Sequence, residues 1–356
     1  MPPQVGTYAI ADLLEVRFQS VNEFGMNSVV ETLQADLAAH NAVVTEMVSD
    51  LAVLTTDTQG VYGSGAVGQM MEVDEFGRSE TQKVATGSTV AFPLRLLQYA
   101  TGWTRKYMQQ ATPRDLAMHQ LAAEEAHRKR IRYDIKRAIY FSSNYIFPDF
   151  LINNVALGVK RFVNADSAAI PDAPDGSTFV ASTHTHYDGA AALTTTVVDS
   201  AIADLIEHGH GGKVMLAIHY SNAAAFVALT GFVAALPNYV QIPAYNVTTP
   251  SVRTDLGNQY NRLLGYYGAA EVWVKPWAIA NYMFVWDGGS PNKPLAFRQR
   301  NGGAVTSGLQ IAAELDGYPL YAKFYEAEFG VGVLTRTNGV VVRFNNAVYA
   351  DPTITE

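Results

Sequence analysis

The sequence contains no cysteine and few charged residues. Without cysteine, the 356-residue chain can form neither disulfides nor thiolate metal sites, and folding in a reducing cytoplasm is permitted. Charged residues make up 16% of the chain, against about 25% in ordinary soluble domains, and hydrophobic residues make up 48%. So little charge leaves much neutral and apolar surface to be covered. Contacts between subunits are the simplest cover, because obligate interfaces resemble a protein core cut in half.

Long apolar runs and an excess of positive charge are also missing. No run approaches the roughly eighteen apolar residues that indicate a membrane span, so we expect no membrane segment. Residues 1–6 contain no basic region followed by an apolar one, so we expect no secretory signal there. The net charge of -8 argues against nucleic-acid binding as the main task, because neutralisation of phosphates dominates such binding. A local basic patch is still compatible with this charge.

The first sixty residues predict an arm followed by a helix. Residues 1–27 are mixed in character and are predicted to be an extended arm. Ser28 and Glu31 form a capping-box pattern, which predicts the start of a helix. Apolar side chains then recur at alternating spacings of three and four, the pattern of an amphipathic helix. The members of this series are Val30, Leu33, Leu37, His40, Val44, Met47, Leu51 and Leu54. The helix packs either on its own domain or on a neighbouring subunit, and the pattern leaves both open.

Residues 55–104 are rich in glycine and threonine and alternate between apolar and polar side chains, which predicts a long β-hairpin. Residues 69–73 lead into a charged tip at 74–78, and residues 84–97 return. A solitary hairpin is marginally stable in water. We therefore expect this one to lie on another surface.

A long helix is predicted from residue 113 to about residue 141. Thr112 is suited to be its N-cap, Pro113 its first residue, and Asp115 a favourable charge near the positive end of the helix dipole. Its second half carries a basic stripe. The stripe consists of Arg128, Lys129, Arg130, Arg132, Lys136 and Arg137. This stripe is either a solvated face that complements the C-terminal dipole or a surface that faces DNA or an acidic neighbour.

The second half of the chain predicts an α/β layer and a closing pair of strands. A helix over 199–208 ends at Gly209, a buried strand follows over 213–219, and a further helix starts at Asn222. Residues 271–286 resemble a pair of strands joined by a proline-containing turn that phage capsid proteins have at this place in the chain. Near the C-terminus, Asn338 and Gly339 lie between apolar runs, which predicts a type I′ hairpin turn between the strands 329–333 and 340–344.

Two further segments resemble the same family. The strand that arrives through Phe329-Gly-Val-Gly-Val333 and returns through Asn338-Gly-Val-Val-Val342 resembles the C-terminal end of tailed-bacteriophage major capsid proteins. Residues 183–187, Thr-His-Thr-His-Tyr, resemble a segment of one branch of phage capsid-like proteins, and the order of elements along most of the chain is also similar to that family.

The resemblance implies an α+β fold of the Hong Kong 97-type phage capsid class. Its parts are an N-terminal arm, an extended β-hairpin loop, a long spine helix in a peripheral domain, and an α/β axial domain. The implied division is an arm with an amphipathic helix at 1–58, the extended loop at 59–108, a peripheral domain at 109–175 and 318–356, and the axial domain at 176–317.

The function that the resemblance implies is that of a major capsid protein, which self-assembles into the icosahedral head of a tailed double-stranded-DNA bacteriophage or prophage. Its expected partners are copies of itself in hexamers and pentamers, with scaffolding, portal or decoration proteins as further candidates. The shell would enclose DNA without reading its sequence, have no membrane partner, and reside in the virion after folding in the host cytoplasm. No catalytic residue, metal or cofactor is expected. An encapsulin-type nanocompartment is the alternative within the same fold.

A metal-dependent hydrolase is the alternative of a different class. His184, His186 and Asp188 form a His-x-His-x-Asp pattern, which resembles the zinc motif of metallo-β-lactamase-fold hydrolases. Two departures count against it: Gly189 stands where that motif has a further histidine, and no histidine follows His219. The pair His208 and His210, beside glycines at a helix end, is predicted to cap carbonyl groups. Fortuitous metal binding by the two pairs stays open.

Overall fold

The computed structural model describes residues 8–62, 70–77, 81, 88–235, 261–300, 308–317 and 320–355. The fold in these ranges is mixed α+β, as predicted. Its helices are α1 (Ile10–Glu15), α2 (Val21–Phe24), α3 (Met26–Ser49), α4 (Arg105–Gln110), α5 (Pro113–Tyr140), α6 (Thr195–Ile206) and α7 (Ala223–Val227). Short 3₁₀ turns occupy Phe150–Ile152 and Tyr220–Asn222.

A sheet of seven strands forms the centre of one half of the molecule. Its spatial order is β7 (Tyr187–Gly189), β16 (Val340–Arg343), β12 (Tyr282–Asp287), β8 (Val214–Ile218), β11 (Ala270–Val274), β10 (Arg262–Tyr267) and β9 (Phe232–Ala234). The strands β11 and β12 are the two predicted around the proline turn, but they are not neighbours. Strand β8 lies between them, parallel to β11 and antiparallel to β12.

The seven-stranded sheet is buried on both faces at its central strands β8 and β12, which explains the continuous apolar sequence of β8. Val214, Leu216 and Ile218 belong to the cluster formed with helix α6, where Val198 and Leu205 project. The intervening Met215 and Ala217 belong to the larger core on the opposite face. This alternation follows from the two-residue repeat of a strand.

A second sheet is assembled from distant parts of the chain. It contains β1 (Ala52–Thr55), β13 (Leu295–Gln299), β15 (Leu320–Val333) and β14 (Gln310–Gly317), and β4 (Arg95–Thr104) also pairs with β15. The strand predicted over 329–333 is therefore the end of a longer strand that begins at Leu320. Helix α5 packs against β15 and β4.

The predicted long hairpin over 55–104 is only partly correct. The strands β2 (Gln59–Tyr62) and β3 (Ser88–Ala91) pair with each other, but β4 pairs with β15 instead. Residues 70–77, between β2 and β3, contain no strand. Of the other residues between these two strands, only residue 81 lies within the described ranges. A further small sheet pairs β5 (Tyr145–Asp149) with β6 (Val155–Val159).

The N-terminal predictions need two corrections. The described part of the arm, from residue 8, is not extended: α1 and α2 pack through Leu13 and Phe24 against α3 and α5. Helix α3 starts at Met26 with Gly25 as its N-cap, so Ser28 is inside the helix and does not cap it. Capping at this end of the chain is provided by Ser20, whose Oγ accepts a hydrogen bond from the backbone N–H of Glu23 at the start of α2.

Helix α3 packs on its own chain. Leu37 and Val44 belong to the main core, whereas Val30 and Leu54, at the ends of the predicted apolar series, are exposed. Of the two interpretations of the series, packing within its own domain is the correct one for Leu37, Val44 and Leu51.

Helix α5 begins as predicted. Thr112 is its N-cap, and its Oγ1 accepts a hydrogen bond from the backbone N–H of Asp115, while Asp115 accepts one from the backbone N–H of Thr112. The helix is 28 residues long and ends at Tyr140.

The predicted hairpin at Asn338 and Gly339 is wrong. Strand β15 lies in the second sheet and β16 in the seven-stranded sheet, so the turn carries the chain between sheets. Asn338 is buried, with its side-chain N–H groups donating to the carbonyl oxygens of Asp287 (3.2 Å) and Asn292 (2.7 Å). A Cβ at Gly339 would overlap the Phe162 ring, so the glycine is required by close packing and not by a left-handed backbone.

The sheets do not follow the predicted division of the chain at 317/318. Strands β13 and β14, which precede it, lie in the same sheet as β15, and β16, which follows it, lies in the seven-stranded sheet. The two sheets are therefore joined by several crossings of the chain. The four-part division stays a prediction.

We expect Gly330→Ala to destabilise the protein by about 2 kcal/mol, because a Cβ there would overlap the carbonyl oxygen of Pro93 and force the backbone apart. Gly102→Ala, in the neighbouring strand, is the matched control, since its Cβ would meet its nearest atom, the oxygen of Tyr321, at 3.6 Å. Urea unfolding of both variants measures the effect. Equal midpoints for the two variants would contradict this packing.

Candidate functional site

Three histidines and a glutamate converge where the segment before β7 meets the C-terminal end of α6. His184 Nε2 lies 3.2 Å from His186 Nε2 and 3.0 Å from His208 Nε2. Glu207 Oε1 lies 3.3 Å from His184 Nε2 and 3.7 Å from His208 Nε2. One ligand atom from each of the four side chains thus lies within 4.8 Å of all the others. This is the arrangement of a candidate metal site.

Backbone hydrogen bonds hold both halves of this histidine cluster, which comprises His184, His186, Glu207 and His208. The N–H of His186 donates to the carbonyl oxygen of Val163 at 2.8 Å. Thr185, between His184 and His186, forms a β-bridge with Asn164. Helix α6 ends at Ile206, two residues before the predicted end, and Gly209 follows with a φ of +79°, the left-handed conformation found after many helices. That ending places Glu207 and His208 beside the first two histidines.

Burial keeps the imidazole rings neutral. His186 is fully buried, and burial followed by the neighbouring His208 holds its pKa well below the usual range. Burial lowers the pKa of His208 to about 3 and also lowers that of His184. Burial raises the pKa of the Glu207 carboxyl, with Asp204 adding to the effect.

The hydrolase pattern proposed from the sequence is not formed as a unit. His184 and His186 come together, but Asp188 is not part of the cluster. Burial, with Asp204, raises the pKa of Asp188 to about 7. Glu207 and His208 were missed as companions of the first two histidines, because they follow a whole helix later and only the topology brings them close.

The predicted role of His208 and His210 as carbonyl caps is also wrong. His208 belongs to the histidine cluster, and His210 Nε2 lies 3.0 Å from the hydroxyl oxygen of Thr337.

A second buried polar network joins α3 to α5. His40 Nε2 lies 3.0 Å from His127 Nδ1, and His40 Nδ1 lies 3.6 Å from Glu124 Oε2 and 3.3 Å from the guanidinium of Arg128. Burial, with Arg128, lowers the pKa of His40 to about 4, and burial, with His40, lowers that of His127 to about 3. Burial, with Asp36, raises the pKa of Glu124 to about 7. His40, a member of the predicted apolar series of α3, is therefore buried in the core.

The basic stripe on α5 is partly paired within its own helix. Arg128 and Arg132 both contact Glu125, at 3.1 and 2.9 Å, and Arg130 contacts Asp134 at 3.3 Å. Arg137 lies over aromatic rings, with its guanidinium carbon 5.3 Å from the centre of the Phe141 ring. These contacts favour a stripe that stabilises its helix, because three of its six cations pair with acids of the same helix.

Apolar side chains are exposed in two places that the core does not use. Residues 70–77 expose Met70, Met71, Val73 and Phe76, and Phe76 retains 89% of its accessible surface. The small β5–β6 sheet exposes Ile146 and Val155, and the 3₁₀ turn between its strands exposes Phe150. Clusters of exposed large apolar side chains mark contact surfaces on soluble proteins.

In the part of the chain that the structure describes, no helix is long and apolar enough to cross a membrane.

Comparison with known proteins bears on the fold. No protein-family model and no curated protein matches the sequence. Among solved structures, a chain of Mycobacterium phage Patience superposes with a TM-score of 0.65 at 19% identity, and the match covers 98% of this chain and 96% of that one. The capsid of an empty GTA particle has a TM-score of 0.46 at 12% identity, covering 83% and 89%. The holo-SrpI encapsulin complex from Synechococcus elongatus has a TM-score of 0.40 at 9% identity, covering 76% and 79%.

The Patience match spans nearly the whole chain, so the likeness applies to the complete arrangement of elements and not to a single sheet. The chain therefore has a mixed α+β fold similar to that of the Mycobacterium phage Patience chain. The resemblance stated from the sequence is confirmed at the level of the fold.

The buried His40–His127 pair predicts that the stability of the folded chain falls as the pH drops below about 6.5. In the unfolded chain both rings are exposed and bind protons below about pH 6.5. In the folded chain the pKa of His40 is about 4 and that of His127 about 3, so protons in this range favour the unfolded state. His127 alone contributes a slope of about 1 kcal/mol per pH unit in this window. Glu124 acts in the opposite direction between about pH 4.5 and 7, because its folded form keeps a proton that the unfolded form releases.

Urea unfolding of the original protein and of His127→Asn between pH 4 and 7.5 measures this slope. The asparagine keeps a polar group near the position of Nδ1 but cannot titrate, so the variant should show a shallower decline of stability toward low pH. Parallel pH profiles for the two proteins would contradict the assigned burial of a neutral His127.

Proposed function

We propose that this chain is the major capsid protein of a tailed double-stranded-DNA bacteriophage or prophage and that it self-assembles into an icosahedral shell. The observation that carries the proposal is the superposition on the Mycobacterium phage Patience chain over 98% of this chain. The low charge content and the exposed apolar side chains support it, because shell subunits need extensive contacts with their neighbours.

The proposal includes the finer parts of the Hong Kong 97-type fold. Helix α5 corresponds to the spine helix, the seven-stranded sheet with α6 belongs to the axial domain, and the segment from β2 to β3 is the extended loop. Two features support the last assignment: the loop is paired at its base by β2 and β3, and residues 70–77 expose apolar side chains. A neighbouring subunit would cover them.

The proposed shell uses copies of this chain in rings of six and five. Contacts within such rings are heterologous, since one patch meets a different patch on the next subunit and rotation closes the ring. Each subunit then touches several neighbours, so that contacts of modest strength act together. Scaffolding, portal and decoration proteins are further proposed partners. The shell would enclose double-stranded DNA without sequence-specific binding.

A catalytic role is not part of the proposal. The histidine cluster does not include Asp188, so the set that the hydrolase interpretation required is incomplete. The cluster offers four protein donor atoms. An ion bound by all four would have no free coordination position for a substrate.

Negative-stain electron microscopy of the purified full-length protein tests the proposed function. We expect closed or partly closed shells built from this chain. Monomers or small oligomers at every concentration tested would contradict the proposal. Shells from the native source that enclose an enzyme in place of DNA would favour the nanocompartment alternative.

The double variant Met70→Asp, Phe76→Asp tests the extended loop. Both side chains are exposed in the single chain, so the folded subunit should keep its unfolding temperature. Each buries an apolar side chain against the neighbour in the proposed shell, a contribution on the order of 2 kcal/mol. We expect the fraction of protein in shells to fall at least about tenfold.

Met70→Leu with Phe76→Leu is the matched control, because it changes the same two positions but keeps them apolar. Shell yield, measured by sedimentation and microscopy, should stay near the original value in this control. Normal shells from the aspartate variant would show that residues 70–77 are not an assembly contact.

A further inference from the structure

We propose that His184, His186, His208 and Glu207 bind one Zn²⁺ ion, which acts as a structural link within the subunit. The sequence alone led to the expectation that the chain has no metal, because His184 and His186 were weighed with Asp188. The structure groups them with a different carboxylate and a third imidazole. The proposal does not depend on whether the chain forms a shell.

The spacing of the donor atoms fits a tetrahedral ion. Zinc bound at about 2.0–2.1 Å by four tetrahedral nitrogen and oxygen ligands places those ligands about 3.3 Å from one another. The measured separations that involve His184 Nε2 are 3.2 Å to His186, 3.0 Å to His208 and 3.3 Å to Glu207. Glu207 Oε1 lies 3.7 Å from His208 Nε2, and no pair of the four atoms is more than 4.8 Å apart, so small side-chain adjustments would bring the cluster to the dimensions of a zinc site.

The hydrogen-bonding pattern of His186 also points to a ligand. Its Nδ1 lies 2.8 Å from the carbonyl oxygen of Gly339, and a carbonyl can only accept, so Nδ1 carries the proton. The Nε2 atom of the neutral ring therefore presents a lone pair to the centre of the cluster. Histidine ligands of zinc ordinarily donate their other ring N–H to a carbonyl or carboxylate in this way.

An unpartnered acceptor at the cluster supports a cation. Glu207 Oε1 is buried without a hydrogen-bond partner and lies 3.3 Å from His184 Nε2 and 3.7 Å from His208 Nε2. A divalent cation at the centre of the cluster would coordinate this oxygen together with the Nε2 lone pair of His186, and one carboxylate offsets half of its charge.

The surroundings provide both shielding and access. The Phe179 ring packs on His184 and His208, with ring centres 4.9 and 4.2 Å apart, and covers one side of the cluster. The Glu207 side chain is 39% exposed, so an ion can enter from its side. Four protein ligands complete a tetrahedron, which is typical of structural zinc sites, whereas catalytic sites keep one position open.

The proposed ion would join three segments of a chain that has no disulfide. His184 and His186 precede β7, Glu207 and His208 follow α6, and the carbonyl that orients His186 belongs to Gly339, immediately before β16. The ion would therefore fasten the end of α6 to the edge of the seven-stranded sheet. Metal binding of this kind adds to folding stability, because the unfolded chain does not hold the ligands together.

Zinc titration of the full-length protein after removal of metal with EDTA tests the proposal. Isothermal titration calorimetry should give one Zn²⁺ per chain, and saturating Zn²⁺ should raise the Tm by about 5 °C. Co²⁺ used as a spectroscopic probe should give the intense visible absorption of a tetrahedral site. Absence of stoichiometric zinc binding by the folded protein would overturn the proposal.

His184→Gln removes one ligand at a partly exposed position, and we expect it to weaken zinc binding at least about a hundredfold. His219→Gln is the matched control, since His219 pairs with Ser221 outside the cluster, and it should bind zinc as the original protein does. Circular dichroism verifies that both variants fold. Should His184→Gln fail to fold, Glu207→Gln at the exposed side of the cluster replaces it with the same expectation. Unchanged zinc affinity in a folded ligand variant, or equal loss in His219→Gln, would contradict the assigned ligand set.

Discussion

The packing of helix α5 is the constraint on which the rest of this structure depends. Along its length it contacts α1 and α3 on one side and the strands β4 and β15 on the other. Its C-terminal end reaches the aromatic core beneath the seven-stranded sheet, where the Tyr140 and Tyr282 ring centres lie 5.6 Å apart. A single helix of 28 residues thus fixes the positions of the N-terminal helices and both sheets, because close-packed side chains allow little relative movement.

Local signals in the sequence predicted much of this frame, and non-local pairing limited the rest. The start of α5 after Thr112 and the left-handed turn at Gly209 that follows α6 depend on interactions within a few residues, so their local patterns were sufficient. The partners of a strand are not encoded in the strand itself. Asn338 and Gly339 therefore suggested a hairpin, whereas the buried amide of Asn338 connects two sheets. The histidine cluster was missed for the same reason, since α6 separates its two halves in sequence.

The distribution of charge and apolar surface supports a subunit whose function lies on its outside. Three of the four arginines of the α5 stripe pair with acids of the same helix, which holds their guanidinium groups against the helix surface. Apolar side chains are instead exposed on residues 70–77 and around Phe150, where no part of the described chain covers them. Together with the phage-type fold, this pattern favours assembly with further copies of the chain.

A cryo-electron-microscopy reconstruction of the assembled particle is the most direct test of the proposed shell. The account predicts icosahedral particles in which Phe76 and its neighbours lie buried against an adjacent subunit, with the seven-stranded sheet near the symmetry axes of the rings. Particles in which residues 70–77 project into solvent would contradict the assignment of the extended loop. Purified protein that forms no symmetric particle under any assembly condition would contradict the central claim itself.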